Sequence, residues 1–221
     1  MLYIEERTRL KASKRAEYLA AAEKEQIPLY YDLAQRLVGY WETVPTEGYW
    51  PEVISVWELD DFDAFGKICQ KRYSESALGR RHRDWQDRLG AVATESHGAL
   101  LWPSSGTPSL EKLKGYKHAP VYLHESITTF PNKSRIYIEQ FQKLWGPTAA
   151  RYGRRQIGIY AEVWHAGRAT NIWAFDDWDV IGKYQGKMSE DPDARTWQEA
   201  GRALRTDWDD RLVVALPFSP V

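Results

Sequence analysis

The first residues of the chain alternate between two kinds of side chain, as the residues of a half-buried β-strand do. From Leu2 to Leu10, the even-numbered positions form the more apolar set, and the odd-numbered positions are polar or aromatic. Three further segments are rich in β-branched and aromatic residues and are bounded by turn residues. The sequence therefore predicts strands over Leu2 to Leu10, Arg36 to Thr43, Glu52 to Leu59 and Gly98 to Trp102.

The segments between these strands carry the signals of helices. Ser13 is an N-cap residue, and a helical face follows it until Pro28 interrupts the pattern. Asp60 or Asp61 caps the next helix. Thr46-Glu47-Gly48 supplies a hairpin turn between the second and third strands. The predicted helices run from Lys14 to Glu25, from Asp63 to Tyr73 and from Gly79 to Leu89.

The second half of the chain repeats the first. Tyr3-Ile4-Glu5-Glu6 aligns with Tyr122-Leu123-His124-Glu125, and after a short deletion Trp57 aligns with Trp173. Each copy has the order strand, helix, strand, strand, helix, strand, which is the ferredoxin-like βαββαβ unit with both helices on one sheet face. The sequence therefore predicts an α+β fold with two such domains, residues 1–104 and 119–221, joined by a linker over residues 105–118.

A single unit of this kind leaves one face of its sheet bare, which soluble proteins avoid. A second copy can cover that face, so we expect the tandem repeats to form an intrachain dimeric α+β barrel. The more apolar set of the first strand then lies under the helices. The polar and aromatic set of both copies points into the barrel, and it comprises Tyr3, Glu5, Arg7, Tyr122, His124 and Ser126.

The two copies differ at this inward face, because His124 and Ser126 stand where the first copy has Glu5 and Arg7. An unequal lining is what an asymmetric binding site would have. The alternative is a filled polar interface, in which Glu5 and Arg7 form an ion pair and no substrate binds.

The amino-acid composition limits the kinds of partner that the protein is expected to bind. The chain has 30 Lys plus Arg against 31 Asp plus Glu, so no basic excess favours nucleic acid. No apolar stretch approaches the roughly 18 residues of a membrane span, so we expect no membrane partner. The start, Met1 to Glu6, lacks the features of a signal peptide and predicts a cytoplasmic protein. The single cysteine, Cys69, lies in a predicted helix and is expected to be structural.

Three segments of the first copy resemble the NIPSNAP family. Residues 3–14 are similar to that family's opening strand and turn, and Leu37 to Trp41 is similar to its second strand. Val53 to Phe62 is similar to its third strand and the following helix start. The second copy repeats the pattern more weakly, through Gly158 and Ile172 to Trp178. The resemblance implies the fold of the dimeric α+β barrel superfamily. That superfamily includes haem enzymes, cofactor-free monooxygenases, isomerases and dehydratases, so it does not by itself imply one reaction.

The five histidines are candidates for acid–base chemistry. His82 lies within a run of arginines, which is typical of a solvated helix face. His97 and His118 flank the last strand and the linker, and His165 lies in the hairpin loop of the second copy. His124 is the best candidate, because it lies mid-strand on the inward face and imidazole exchanges protons near neutral pH.

The leading hypothesis is a small-molecule isomerase or lyase that needs no cofactor and no metal. It would perform isomerisation, elimination or hydration on an aromatic or apolar metabolite. His124 is the acid or base, Glu5 is its partner, and Arg7 holds a developing oxyanion with Tyr3 or Tyr122. The walls of the site are formed by large aromatic side chains, namely Trp41, Trp57 and Trp173.

Two other functions fit the same residues. One is a non-catalytic module that binds a ligand or another protein. The other is a haem-binding enzyme with His124 or His165 as the axial ligand. The sequence has no phosphate-binding loop, zinc-hydrolase motif, EF-hand or serine-hydrolase motif, so those classes are excluded at the level of motifs. Association of the pseudo-dimers into a homo-oligomer is compatible with every one of these functions.

Overall fold

The structure is a computed structural model that describes residues 1–46, 48–188 and 190–221, without the side chains of Tyr184 and Gln185. The chain divides into two compact units. Unit 1 comprises residues 1–100 and 216–220, and unit 2 comprises residues 101–215 and residue 221. None of the helices in the described part of the chain has the length and apolar character that a bilayer-spanning helix needs.

Unit 1 has the order of elements that the sequence predicted. Its strands are β1 (Leu2–Leu10), β2 (Arg36–Thr43), β3 (Glu52–Leu59) and β4 (Ala93–Pro103), of which the last three residues belong to unit 2. Its helices are α1 (Arg15–Ala21), α2 (Ile27–Asp32), α3 (Phe62–Arg72) and α4 (Ala77–Val92). The bounds of β1, β2 and β3 agree with the prediction, and β4 is longer than predicted.

The first helical segment does not end where the sequence predicted. A 3-10 turn (Ala12–Lys14) leads into α1, and a π-helical turn (Ala22–Gln26) then leads directly into α2. The prediction that Pro28 interrupts the helix is wrong, because Pro28 lies in the first turn of α2, where a missing N–H costs little. Of the predicted hairpin turn, Glu47 lies outside the described residues, and Gly48 has a φ of 61°.

The prediction that Ser13 is an N-cap is wrong, because Ser13 lies inside the 3-10 turn and the N-cap of α1 is Lys14. The caps of the later helices follow the sequence more closely. Asp61 caps α3, because its side chain accepts a hydrogen bond of 2.8 Å from the backbone N–H of Ala64. Ser76 caps α4 by accepting from the backbone N–H of Gly79 at 3.2 Å. A Cβ on Gly79 would lie 2.1 Å from the carbonyl oxygen of Ser74. Only glycine therefore lets α4 start so close to the turn that follows α3.

The sheet of unit 1 places β1 between β3 and β4. β1 pairs with β3, and β3 pairs with β2, both antiparallel. On the other side of β1, the backbone N–H of Lys11 donates to the carbonyl of Val92 at 2.9 Å. The outer edge of β2 is bonded to the C-terminal segment of the chain. Leu216 N–H donates to the Tyr40 carbonyl at 3.0 Å, and Tyr40 N–H donates to Ser219 Oγ at 2.8 Å.

The side chains of β1 divide between the two faces as predicted. Glu6 belongs to the even-numbered set, and it bonds to Gln26 and Tyr30 from the helical layer. Trp57 lies opposite Ile4 in the register and packs edge-on against Tyr30, with 4.8 Å between the ring centroids. The prediction that the more apolar set lies under the helices is therefore confirmed in unit 1.

The opposite face of the same sheet carries three Arg–Glu ion pairs. The pairs are Arg7–Glu5 at 3.3 Å, Arg9–Glu52 at 3.2 Å and Arg36–Glu58 at 3.0 Å. Tyr3 donates from its hydroxyl to Glu58 at 3.0 Å. The three carboxylates are each at most 4% exposed, so each of these buried charges has a partner of opposite sign.

Unit 2 repeats the same order of elements. Its strands are β5 (Val121–Thr129), β6 (Arg154–Glu162), β7 (Arg168–Phe175) and β8 (Arg205–Ala215). Its helices are α5 (Leu110–Lys114), α6 (Ser134–Gln140), α7 (Gly146–Arg151), α8 (Asp179–Lys187) and α9 (Pro192–Arg202). A π-helical turn (Phe141–Trp145) again joins the two halves of the first helical segment. β5 pairs with β7 and β8, β7 pairs with β6, and β6 pairs with the end of β4.

The core of unit 2 lies between its sheet and its helices. Val121, Leu123 and Ile127 of β5 pack there against aromatic side chains that include Phe141, Trp173 and Trp197. This is the set of β5 positions that the sequence placed under the helices, so the prediction holds for the second copy as well.

Two carboxyl groups face each other on the helix side of this sheet. Glu125 of β5 lies directly opposite Asp210 of β8. Glu125 Oε2 accepts from Trp173 Nε1 at 2.9 Å and from Asn171 Nδ2 at 3.2 Å. Burial, and then the charge of Glu125, raise the pKa of Asp210 to about 8. The charges of Arg154 and Arg205 lower this pKa, but they offset only part of the increase. Asp210 therefore keeps its proton at neutral pH.

This raised pKa makes the stability of the protein fall with rising pH. The unfolded chain releases the Asp210 proton near pH 4, whereas the folded chain holds it until about pH 8, so stability is lost across that interval. We expect Asp210→Asn to raise the melting temperature at pH 9 by at least about 2–4 °C, which is the effect of roughly 1 kcal/mol in a chain of this size. The gain should shrink toward pH 4 in thermal denaturation experiments.

The exposed Asp207→Asn, on the same strand, is the matched control and should leave the pH dependence unchanged. If the melting temperature of Asp210→Asn equals that of the wild type at every pH, Asp210 does not retain its proton up to about pH 8.

Candidate functional site

A cavity of about 440 Å³ opens within unit 1, between its helical layer and the strands β1 and β4. Its volume lies in the range of small-molecule sites. Polar and titratable side chains predominate in the lining, and an exposed tyrosine lies at its edge. The lining residues are Glu6, Arg72, Tyr73, His82, Arg83, Gln86, Leu89, Ser96, His97 and Gly98. We call this cavity the helix–sheet pocket.

Glu6 of β1 forms the floor of the helix–sheet pocket. Its Oε1 accepts from the Tyr30 hydroxyl at 2.8 Å, and its Oε2 accepts from Gln26 Nε2 at 3.0 Å. Both donors come from the helical layer, one from the π-helical turn and one from α2. Burial raises the pKa of Glu6, and the charge of Arg72 and these two hydrogen bonds offset the increase only in part. The carboxyl is thus shifted toward the neutral range where proton transfer is useful.

Arg72, the last residue of α3, brings a guanidinium to the pocket. Its Cζ lies 4.9 Å from the centroid of the Tyr30 ring, which is a cation–π arrangement. Its Nε and Nη2 atoms are buried and have no hydrogen-bond partner among the described residues. Arg83, the other arginine of the lining, is engaged differently, since it donates to the Ser74 carbonyl and to Glu75 at 3.0 Å each.

His82 of α4 is 6% exposed, so the prediction that it lies on a solvated helix face is wrong. Arg81, beside it in sequence, pairs with Asp32, and His82 follows the spacing of Trp85 and Leu89 on the buried side of α4. That apolar spacing was the signal in the sequence that could have identified it. Burial, and then the charges of Arg72 and Arg83, lower the pKa of His82 to about 4. The imidazole is therefore neutral at physiological pH, and its Nε2 has no hydrogen-bond partner among the described residues.

The second copy lacks the counterparts of Arg72 and His82. Extending the match of Gly66-Lys67 with Gly182-Lys183 aligns Arg72 with Met188. Extending the match of Trp85 with Trp197 aligns His82 with Ala194. Met188 and Ala194 both pack into the hydrophobic core of unit 2. The carboxylate of β1 is kept, as Glu125, and Arg195 stands at the position of Arg83, but the guanidinium of Arg72 and the imidazole of His82 are specific to unit 1.

The residues that the sequence proposed for a barrel site lie in both units. In unit 1, Glu5 and Arg7 form the ion pair that was the structural alternative, and Tyr3 bonds to Glu58. In unit 2, Tyr122 and His124 are each 1% exposed on the sheet face away from the helices, as predicted. Across the strands, His124 faces Ile172 on β7 and Arg211 on β8. A catalytic site built from His124, Glu5 and Arg7 stays a prediction.

The aromatic walls predicted for that site are partly wrong. Trp41 shares a sheet face with Arg7, because both lie opposite Ile54 in the register, and its ring covers Gly39, where a Cβ would lie 2.1 Å from it. Trp57 and Trp173 instead lie on the helix side, each against an aromatic ring of the helical layer. Trp57 lies opposite Ile4 and Trp173 lies opposite Leu123, and these partners are the strand neighbours of Tyr3 and His124. Neighbouring side chains on a strand point to opposite faces, so the two tryptophans cannot line the same surface as Tyr3 and His124.

The buried imidazole of His82 makes the unfolding free energy of the protein depend on pH. As the pH falls from about 6.5 to 4, the unfolded chain takes up a proton at residue 82 that the folded chain refuses, so stability falls. Between pH 7 and pH 5, we expect wild type to lose about 2 kcal/mol more unfolding free energy than His82→Gln. Denaturant unfolding at the two pH values measures this difference, with the exposed His118→Gln as control. An equal loss in His82→Gln would mean that His82 protonates as readily as in water.

Comparison with known proteins finds a family match for part of the chain. Residues 128–220 match the family model NIPSNAP. No curated protein sequence matches the chain significantly. Among solved structures, a NIPSNAP domain protein from Burkholderia xenovorans is 20% identical and covers 49% of this chain and 100% of its own, with a TM-score of 0.42.

Two solved structures resemble the chain over nearly its whole length. An anthrone oxidase-like protein is 10% identical, covers 99% of this chain and 93% of its own, and has a TM-score of 0.71. A monooxygenase-like protein from Lactobacillus acidophilus NCFM is 11% identical, covers 97% and 93%, and has a TM-score of 0.60. At these identities the likeness shows the fold alone. It confirms the predicted fold class of tandem ferredoxin-like repeats of the dimeric α+β barrel type, and the match of residues 128–220 to the NIPSNAP family model agrees with the resemblance found in the sequence.

Proposed function

We propose that the protein is an enzyme that moves a proton on a small organic molecule bound in the helix–sheet pocket, without a cofactor. One observation carries this proposal. A carboxyl group with a raised pKa, Glu6, forms the floor of a cavity of about 440 Å³ that also exposes a guanidinium and a neutral imidazole. Such a combination is typical of acid–base sites.

Glu6 is the proton carrier in this proposal. Each of its oxygens accepts one hydrogen bond from the protein, which fixes the carboxylate and leaves a lone pair for a substrate proton. The ionised form takes a proton from the substrate, and the protonated form returns it to another atom of the same molecule. Isomerisation consists of these two transfers. In elimination the proton is passed to the group that leaves the substrate, and in hydration it is taken from the water that adds to the double bond.

The substrate is small and has an apolar part. Tyr73 and Leu89 supply the apolar side chains of the lining, and Tyr73 is 81% exposed at the pocket edge. An exposed aromatic ring next to a cavity is a common contact for a flat ligand. The names of the fold neighbours, anthrone oxidase-like and monooxygenase-like, belong to small-molecule enzymes, which agrees with a metabolite as substrate.

The proposal predicts that Glu6→Gln abolishes proton transfer. Wild-type protein in D₂O should introduce deuterium into its substrate, which NMR or mass spectrometry detects across a panel of enolisable compounds. We expect the exchange rate of Glu6→Gln to fall by at least about 100-fold, which is the usual contribution of a general base. The wild-type rate should rise with pH through an inflection above the ordinary glutamate pKa, because the base must be ionised.

Glu125→Gln is the matched control, because Glu125 is the counterpart of Glu6 in the copy that lacks Arg72 and His82. It should retain wild-type exchange, provided that its melting temperature shows a folded protein. Exchange by Glu6→Gln at the wild-type rate would overturn the proposal. Ligand binding without any exchange would favour the non-catalytic binding module instead.

The site predicted around His124 is tested in the same assay. If His124 is the acid or base, His124→Ala should abolish exchange while the fold is retained, as checked by circular dichroism. Exchange lost in His124→Ala and retained in Glu6→Gln would replace the helix–sheet pocket by the predicted barrel site.

A further inference from the structure

We infer that the helix–sheet pocket selects a compound with a carboxylate group, held by one edge of Arg72. The inference rests on the proposed function for the choice of site, and it adds the chemical class of the ligand. The atoms that carry it are Nε and Nη2 of Arg72, which are buried and have no hydrogen-bond partner within residues 1–46, 48–188 and 190–221.

These two atoms lie on the same edge of the guanidinium. Their N–H bonds are parallel and match the two oxygens of a carboxylate, so one ligand group satisfies both donors. A buried cationic donor that lacks an acceptor is costly, because water can no longer solvate it. An anion bound to this edge of Arg72 would remove that cost, so the pocket should favour anionic ligands.

Among the described residues, none accepts a hydrogen bond from these two atoms. Glu6, the acidic residue of the pocket lining, feels the charge of Arg72, but its two oxygens accept from Tyr30 and Gln26. The Tyr30 ring lies 4.9 Å from the Arg72 guanidinium carbon, while its hydroxyl donates to the Glu6 carboxylate.

The surrounding charges favour a single negative charge. His82 is neutral near pH 7, so it adds a hydrogen-bonding nitrogen and no charge. Arg83 is already bonded to Glu75. Arg72 is thus the lining arginine whose Nε and Nη2 have no hydrogen-bond partner among the described residues, and it suits a planar monoanion better than a phosphate dianion.

The internal repeat supports the assignment. The second copy has Met188 and Ala194 where unit 1 has Arg72 and His82, and both pack into its core. Apolar residues are thus compatible with this position of the fold, so a buried arginine is not required for folding there. The variant Arg72→Met installs the residue of the second copy and is expected to fold.

The experiment compares acids with their neutral counterparts. Isothermal titration calorimetry measures binding of benzoate, phenylacetate and cinnamate, of the three corresponding amides, and of phenyl phosphate, to the full chain. We expect at least one acid to bind at least about tenfold more tightly than its amide and than phenyl phosphate, as a charge-assisted bidentate pair predicts. Arg72→Met and Arg72→Lys should each weaken that acid at least about tenfold, since lysine keeps the charge and loses the paired donors.

Arg81→Met is the control, because this variant removes the same charge from α4, the helix that follows Arg72, where the half-exposed Arg81 pairs with Asp32 at 2.6 Å. It should bind the acid as wild type does. Equal binding of acid and amide, preference for phenyl phosphate, or unchanged binding by Arg72→Met with a wild-type melting temperature would each overturn the inference.

This inference and the proposed function fail separately. Acid binding that depends on Arg72, with exchange that does not depend on Glu6, would leave the ligand class standing and remove the reaction. Glu6-dependent exchange on neutral compounds, unaffected by Arg72→Met, would leave the reaction standing and remove the ligand class.

Discussion

In each unit a carboxylate lies under the helices, where water does not solvate it. The rest of the structure depends on how this carboxylate is stabilised. Each copy carries a glutamate on the helix side of its first strand, Glu6 in one and Glu125 in the other. A carboxylate in that layer must be bonded, paired or protonated. The residues that meet this demand differ between the copies, and the difference accounts for most of what distinguishes the two units.

In unit 2 the demand is met from the sheet. Trp173 and Asn171 donate to Glu125, and Asp210 faces it with a proton retained to about pH 8. In unit 1 it is met from the helices, by Tyr30 and Gln26, so that Trp57 bonds instead to Ser55 at 2.9 Å. This exchange of partners leaves room beside Glu6 for charged groups of α3 and α4. Duplication thus gave one arrangement that is filled and one that is open.

The fold could be predicted because it depends on short patterns. Alternation in β1 identified the side that lies under the helices, and Asp61 marked the start of α3. Pro28 was misjudged because a π-helical turn allows a proline to begin a new helical segment. Trp57 and Trp173 were placed on the wrong face because the face of a strand residue depends on register, which pairs distant segments. His82 was missed because its arginine neighbours hide the apolar spacing of α4. The helix–sheet pocket is lined by four segments, namely β1, the end of α3, α4 and β4, so no single segment of the sequence could predict it.

The C-terminal segment described with unit 1 has a consequence for how the protein is made. Residues 216–220 hold the edge of β2 through Leu216 and Ser219, and the Phe218 ring packs edge-on against Tyr40 at 5.2 Å. The amino-terminal copy is synthesised first, but residues 216–220, which bond to its β2, are synthesised after the strands and helices of the second copy. Unit 1 therefore cannot complete its hydrogen bonding before the second copy has been made, whereas domains ordinarily fold in the order in which they emerge.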